Sequence, residues 1–344
     1  MAVSFQMKAA AEKKDTKFVI EGHIFIPKKE GDELYLYQYK CVEETGMRHV
    51  ITAEQSRLAD KETIAQGTSS LTLMENAGVE AYNRIRKEIG KRNRILVLCG
   101  TGGNGGDGYV IARCLHDSGY KKVAVLPVGK PESEDCKTNA EAYTGKIVDK
   151  IDCYYDVFID CIYGTGRKKN VCGKARKIIE QVNDLGGKKV SIDVPSGIDA
   201  TTGEVKGVAF RCDLLLVIQF MKTGLFLNDA PSYFKKARIL DIAIEISGKR
   251  YLPKYVSGVE LDTVRPADVS YQVIDAEWMA RFHGVSEQTL FENFARYLRH
   301  TACMFQTRLV YRAPNPWISD GKQVLILEKD SDVAIREGFA FLSK

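Results

Sequence analysis

From Arg94 onward the chain alternates between two hydrophobic rhythms. Residues 95–98, 123–127, 157–160, 190–193, 214–218 and 238–242 are short, mostly apolar runs rich in β-branched residues, and helical stretches such as 110–115 and 175–185 lie between them. Continuous apolar runs separated by helices are the pattern of parallel strands buried on both faces. Upstream, Thr52 stands as a cap before Ala53-Glu54-Gln55, and Leu58, Ile64 and residues 71–74 carry an apolar helical period onward, with Gly67 dividing it into two helices. The predicted fold class is α/β: a Rossmann-like three-layer αβα sandwich with a mostly parallel sheet, spanning residues 47–250.

The flanks read differently. Residues 18–26 and 34–39 are strand-like runs on either side of the polar stretch 27–32, which predicts a β-hairpin within an N-terminal extension of residues 1–46. The alternation stops after Ile246, and residues 247–270, with their Gly, Pro and charged residues, read as a linker. Residues 251–344 form a C-terminal α/β extension. Within it Val273-Ile274-Asp275-Ala276-Glu277 echoes Val50-Ile51-Thr52-Ala53-Glu54, and Leu290-Phe291-Glu292-Asn293 echoes Leu73-Met74-Glu75-Asn76. A weaker echo sets 324–327 against 95–98. The echoes keep their order, so 271–344 reads as a degenerate partial repeat of the same domain; chance similarity between amphipathic helices is the other reading. A charged stretch, 328–332, stands where the first copy carries a glycine loop, so this second copy is expected to bind no phosphate.

Composition narrows the setting. With 44% hydrophobic residues a packed core is expected, and the formal charge of +5 is dispersed without a basic tail, so nucleic acid is not an indicated partner. No run of 18 apolar residues predicts a membrane span. The nine cysteines show neither a CxxC pair nor zinc-site spacing and read as reduced thiols, with Cys99, Cys114, Cys153 and Cys161 expected in the core. Glu12 and Asp15, with no arginine among the first residues, argue against a mitochondrial presequence. A cytoplasmic protein is expected.

Chemistry concentrates after the run 95–98, in Gly100-Thr101-Gly102-Gly103-Asn104-Gly105-Gly106-Asp107-Gly108. A strand entering such a loop and leaving as a helix lets backbone N–H groups and the positive helix end approach a phosphate or another oxygen-rich ligand. A nicotinamide dehydrogenase would use a similar turn, but it needs an acidic residue at the end of the second strand, about 20 positions on. Here that strand ends in Val125-Leu126-Pro127-Val128-Gly129. A carboxylate at Asp107 would also repel a pyrophosphate lying close to it. Asp160 and Asp193 each close an apolar run, which places two carboxylates at the carboxyl ends of parallel strands, where open α/β sheets hold their sites. Asp199 reads as a turn residue before Thr201.

These segments together resemble the NAD(P)HX epimerases, the YjeF N-terminal-domain family. The family pattern Gly-x-Gly-Asn-Asn-Gly-Gly-Asp-Gly is matched at residues 100–108 except at Gly103, where the family has Asn. Thr52-Ala53-Glu54-Gln55 and Leu73-Met74-Glu75-Asn76-Ala77-Gly78 are similar to its opening helices. The segment from Asp156 through Asp160 to Gly166 is similar to its aspartate-bearing strand and loop, and Asp193-Val194-Pro195-Ser196-Gly197 to its Asp-x-Pro-Ser-Gly segment.

The resemblance implies an isomerase that interconverts the R and S epimers of NADH or NADPH hydrated at C6 of the dihydronicotinamide ring. It implies Asp160 as the carboxyl that gives and retakes a proton while the hydroxyl leaves and returns. It implies substrate contacts from Gly103, Asn104, Gly105, Gly106 and Asp107, from the loop Gly164, Thr165, Gly166, Arg167, Lys168, Lys169 and Asn170, and from Asp193. It implies one potassium ion per subunit held by Asn104, Asp160 and Ser196, although a cation on Asp160 would favour a base there over an acid. Asp107 reads either as a cap for a helix starting near Gly108 or as part of the ligand site. A homodimer and a separate NAD(P)HX dehydratase are the partners implied. The alternative is a non-catalytic, dimerising scaffold of the kind that mRNA-decapping enhancers build on this domain. The near-intact loop favours the enzyme, and Gly103 and the two flanks favour the scaffold.

Overall fold

The computed structural model describes residues 18–20, 23–30, 33–38, 48–166, 169–246, 252–256, 270–328 and 332–342. At the N-terminus β1 (Phe18–Ile20), β2 (His23–Glu30) and β3 (Glu33–Gln38) form an antiparallel sheet. The expected hairpin is therefore β2–β3 with β1 as a third strand. Residues 27–30, read as part of the turn, extend β2 and pair with β3.

The central layer is a seven-stranded sheet in which every pairing is parallel. After β4 (Arg48–Ile51), helices α1 (Ala53–Ala65) and α2 (Ser70–Ile85) lead into β5 (Ile95–Cys99). Thr52 caps α1 through a reciprocal capping box with Gln55, as its sequence predicts. There follow α3 (Gly103–Asp117), β6 (Val123–Pro127), α4 (Glu134–Ala142), β7 (Lys146–Ile147), β8 (Val157–Cys161), α5 (Gly173–Asp184), β9 (Lys188–Ile192), β10 (Cys212–Ile218), β11 (Met221–Lys222) and β12 (Phe234–Leu240). The sheet order is β12-β10-β9-β8-β5-β6-β7.

Side chains alternate across this sheet, as strand geometry requires. Ile95, Val97, Ile159, Leu214 and Leu216 join Ala81, Ile85, Ile111 and Leu115 of α2 and α3 on one face. Leu96, Leu98, Phe158, Leu215 and Val217 join Ala175, Ile178 and Val182 of α5 on the other. Cys99 and Cys161 are buried as expected, but Cys114 is half-buried and Cys153 exposed, so the last two are not core residues.

A second seven-stranded sheet, of mixed direction, runs β11-β4-β13-β17-β16-β15-β14. It unites β4 and β11 of the sandwich with β13 (Lys254–Val256), β14 (Gln272–Ile274), β15 (Leu309–Tyr311), β16 (Trp317–Ser319) and β17 (Val324–Leu327). Helices α6 (Ala276–His283), α7 (Glu287–Glu292) and α8 (Phe294–Met304) follow β14, and α9 (Asp332–Leu342) follows β17. Three helices and the antiparallel β15–β16 pair thus precede β17, where two helices precede β5 in the sandwich. Met279, Leu290, Phe294, Leu298, Trp317 and Ile326 share one continuous core with the sandwich, and Ile335 and Phe339 of α9 cover the sheet's other face. Among the described residues no helix is long and apolar enough to cross a membrane.

Candidate functional site

The carboxyl ends of β5, β8, β9 and β10 converge on a cavity of about 470 Å³, walled by residues of the glycine loop, the loop after β8, Asp193, the turn after β10, and Ser56 and Asp60 of α1. Helix α3 points its N-terminus at this space. Gly102 occupies the cap position and makes no side-chain capping bond, so the N–H groups of the first turn are offered to a ligand along with the positive end of the helix dipole.

The loop's glycines divide into two kinds. A side chain at Gly100 would run into Ile162 O, one at Gly105 into Gly100 O, and one at Gly108 into Cys99 and Cys161. Those positions are glycine because chain packs on chain. At Gly102 and Gly103 nothing lies within 4 Å of where a side chain would start, and both residues line the cavity. The space beside them is left for a ligand.

Among the described residues three carboxyls and one ammonium face the cavity. Lys222, only 1% exposed, donates from Nζ to Asp193 Oδ1 at 2.5 Å and to Ile218 O at 2.9 Å. Asp193 holds a left-handed backbone, φ 68°, and so does its neighbour across the cavity wall, Gln219, φ 55°. Non-glycine residues in that region carry backbone strain of about 1–3 kcal/mol each, which the surrounding bonds must hold. Those bonds are Asp193 N–H to Leu216 O at 2.7 Å and Ile242 N–H to Gln219 Oε1 at 2.7 Å. Burial pushes the Asp107 carboxyl well above the usual aspartate range, and the nearby Asp193 and Asp60 push it further. Burial also raises Asp60, with Lys222 opposing.

Of the residues singled out in the sequence, Gly103, Asn104, Asp107, Gly164, Thr165, Gly166 and Asp193 come together on the cavity wall. Gly105 and Gly106 are buried behind it. Asp107 lies within α3, which starts at Gly103 rather than near Gly108, so it caps nothing. Arg167 and Lys168 fall outside the described residues, and Lys169 and Asn170 are exposed beyond the cavity.

Asp160 is 0% exposed and does not reach the cavity wall. Its Oδ1 accepts from Ser196 Oγ at 2.6 Å and Ile162 N–H at 3.2 Å; its Oδ2 accepts from Ser191 Oγ at 2.9 Å and Ser196 N–H at 2.9 Å. Ser196 Oγ in turn accepts from Tyr163 N–H at 2.8 Å. Burial raises the Asp160 pKa, and these four bonds pull it back. Asp160 thus ties the loop after β8 to the turn after β9, with all four of its lone-pair positions taken.

Asn104 is the opposite case. Both its amide oxygen and its amide nitrogen are buried without a hydrogen-bond partner. A buried amide left so costs about 1–3 kcal/mol, which marks the spot as one that a ligand or a hard cation with oxygen affinity would complete. Among the described residues no cluster of three His, Cys, Asp or Glu side chains is placed to hold a metal ion.

Sequence reasoning did not find Asp60, Lys222 or the apolar wall of Ile218, Phe220 and Ile244. Lys222 left one faint signal, a single cation in the otherwise apolar and small stretch 220–226.

Comparison with known proteins gives these features a context. The family described as "YjeF-related protein N-terminus" matches residues 70–224. The NAD(P)H-hydrate epimerase of Lentilactobacillus buchneri is 36% identical over 208 residues, covering 58% of this chain and 96% of its own length. The bifunctional NAD(P)H-hydrate repair enzyme Nnr of Dictyoglomus turgidum is 33% identical over 213 residues, 58% of this chain and 41% of its own. A crystal structure of a yeast protein aligns with 55% of this chain and 87% of its own at a TM-score of 0.49 and 22% identity.

Proposed function

The chain belongs to the NAD(P)H-hydrate epimerase family, and from this premise we propose that the cavity at the α3 N-terminus binds hydrated NADH or NADPH and interconverts the R and S epimers. The observation that carries the reading is the cavity itself: an uncapped helix N-terminus beside Asp60, Asp107, Asp193 and Lys222. The helix end and the bare Gly102 and Gly103 receive the dinucleotide's phosphate oxygens, and the burial that raises the Asp107 pKa removes the carboxylate charge that would repel them. Ile218, Phe220 and Ile244 provide an apolar wall for the nicotinamide ring.

Epimerisation requires the C6 hydroxyl to take a proton and leave as water, giving a planar ring cation, and water to return on the other face while losing a proton. The group that exchanges this proton must touch the ring. Asp160 does not reach the cavity, so we assign the proton to Asp107, whose buried carboxyl stays protonated above the usual aspartate range. Asp193 and Asp60 stand where they offset the positive charge of the ring, with Lys222 fixing Asp193. We assign Asp160 to bracing the loops that carry Ser196 and Gly164.

Potassium fits this chain at Asn104, whose unpartnered amide oxygen is the free ligand of the expected set. Ser196 and Asp160 would join it only by loosening their mutual bond. When bound, the ion would supply positive charge facing the oxygens of the substrate. A cytoplasmic protein, assembled as a homodimer and working with an NAD(P)HX dehydratase, completes the reading.

The test incubates the protein with R-NADHX and a trace of S-specific dehydratase, with and without potassium, and follows the NADH regained. Acceleration over buffer supports the proposal. No acceleration favours the scaffold reading, which one observation independently supports: Trp278, Phe282, Met304 and Phe305 are 39–55% exposed, and the three aromatic rings form one cluster.

A further inference from the structure

The match to the Lentilactobacillus protein takes in nearly all of that relative but 58% of this chain, so much of this chain lies outside that match. The structure places part of it directly behind the cavity. Lys222 ends β11, and the residues after it, Thr223–Phe226, form a single tight turn. One side of that turn is tied to the loop after Asp193: Thr223 Oγ1 donates to Thr201 O at 2.9 Å and Gly224 N–H to Ala200 O at 2.9 Å. The other side rests on the C-terminal segment. The Phe226 ring stacks on Tyr255 of β13 at 5.2 Å between centroids, and Trp317 Nε1–H of β16 donates to Phe226 O at 3.3 Å.

The backbone repeats this connection. β11 pairs with β4 through Lys222 and Ile51, β4 pairs with β13 through His49 and Lys254, and β13 pairs with β17. Val50 N–H adds a bond to Pro253 O at 2.8 Å. Trp317 is fully buried and packs edge-on against Phe294 of α8 at 5.2 Å. Of the residues at this junction only Lys222 lines the cavity, and both contacts that reach the 223–226 turn from the C-terminal segment fall on Phe226, four residues from it.

We propose that Tyr255 and Trp317 are positioning residues for the site: by clamping the 223–226 turn they hold Lys222 on Asp193, making the C-terminal segment a working part of the epimerase. This inference rests on the reading of the cavity given above. A rigid support behind an active-site group has the effect such supports have in general, since a shift of about 1 Å in a group that orients the chemistry can cost on the order of a hundredfold in rate.

The test uses three substitutions in the full chain. Trp317→Phe keeps an aromatic ring but removes the donor to Phe226 O; Tyr255→Leu removes the stack. Ile335→Val, in the cluster on the opposite face of the same sheet, controls for loss of stability alone. Two readouts are taken: kcat and KM for epimerisation, and the Lys222 ammonium resonance in lysine-labelled protein, identified by its disappearance in Lys222→Met. Trp317→Phe and Tyr255→Leu are expected to lower kcat about tenfold with little change in KM, and to move the resonance. Ile335→Val is expected to lower the melting temperature and leave both readouts alone. Effects on kcat and on the resonance no larger than those of Ile335→Val overturn the inference. If the unmodified chain does not epimerise, the resonance decides alone: a shift confined to Trp317→Phe and Tyr255→Leu retains the clamp while the reaction reading fails, and no shift overturns the clamp as well.

Discussion

Replacing Asp160 by Asn separates a brace from a catalyst. Each carboxylate oxygen of Asp160 accepts one backbone N–H and one serine hydroxyl: Ile162 N–H and Ser196 Oγ on Oδ1, Ser196 N–H and Ser191 Oγ on Oδ2. In Asn one oxygen becomes an NH₂ group, which cannot accept. A serine hydroxyl can turn and accept from it, but a backbone N–H cannot. Whichever way the amide faces, one buried backbone donor meets another donor. Leaving that group unsatisfied costs about 1–3 kcal/mol, and losing the charge-assisted bonds adds about 1–2 kcal/mol. Relief of burying the carboxylate, the same effect that raises its pKa, offsets part of this. The expected loss is about 2–4 kcal/mol in urea unfolding followed by fluorescence of Trp278 and Trp317. At a temperature where the variant is folded, kcat should stay within about tenfold of the parent, because no oxygen of Asp160 faces the cavity. A stability loss below about 1 kcal/mol would refute the brace. A fully folded variant slowed by about a thousandfold or more would return Asp160 to the chemistry.

Other substitutions probe the cavity wall. Asp107 has a folded pKa well above its ordinary 3.8, so the native state holds its proton more tightly than the unfolded chain and stability falls as pH rises from the unfolded toward the folded pKa. Asp107→Asn removes that decline, so its melting temperature should gain on the parent's with rising pH while epimerisation is lost; parallel melting curves would contradict the assignment. Gly103→Asn supplies the side chain that the family pattern Gly-x-Gly-Asn-Asn-Gly-Gly-Asp-Gly has there, at a position with nothing within 4 Å. It should leave stability within about 1 kcal/mol and, by adding one hydrogen bond to the ligand, lower KM about two- to tenfold, which steady-state kinetics would show. Gly105→Ala drives a methyl group into Gly100 O and should cost about 3 kcal/mol in urea unfolding; a loss under about 1 kcal/mol would mean the loop yields more easily than its packing implies.

The legible and illegible parts of this molecule differ in the distance over which their causes act. The central strands were readable because burial on both faces imposes continuous apolar runs, and five of the six expected runs lie within or almost wholly within observed strands; the run at 238–242 overshoots β12 (Phe234–Leu240) by two residues. The glycine loop was readable because close packing on Ile162, Gly100 and Cys161 forbids side chains there, which leaves glycine in the sequence at fixed spacing. Asp160 and Asp193 were both visible as residues closing apolar runs, but not distinguishable. What separates them is that Asp160 is covered by Ser191 and Ser196 while Asp193 turns to Lys222 through a left-handed backbone, and no local pattern records that.

The second sheet was hidden for a different reason. Its strands are two to four residues long, too short for an alternation to show above chance. One of its pairings, β4 to β13, joins residues about 200 positions apart in the chain. Yet this sheet carries Lys222 at one edge and Trp317 within it. A reading that divides the chain where the α/β rhythm stops therefore cuts through the support of the site. Apolar rhythm reports where a residue is buried, not which segment buries it. The boundary near residue 250 is one of sequence pattern, and the core that holds Phe226, Trp317 and Leu98 together in a single cluster runs across it.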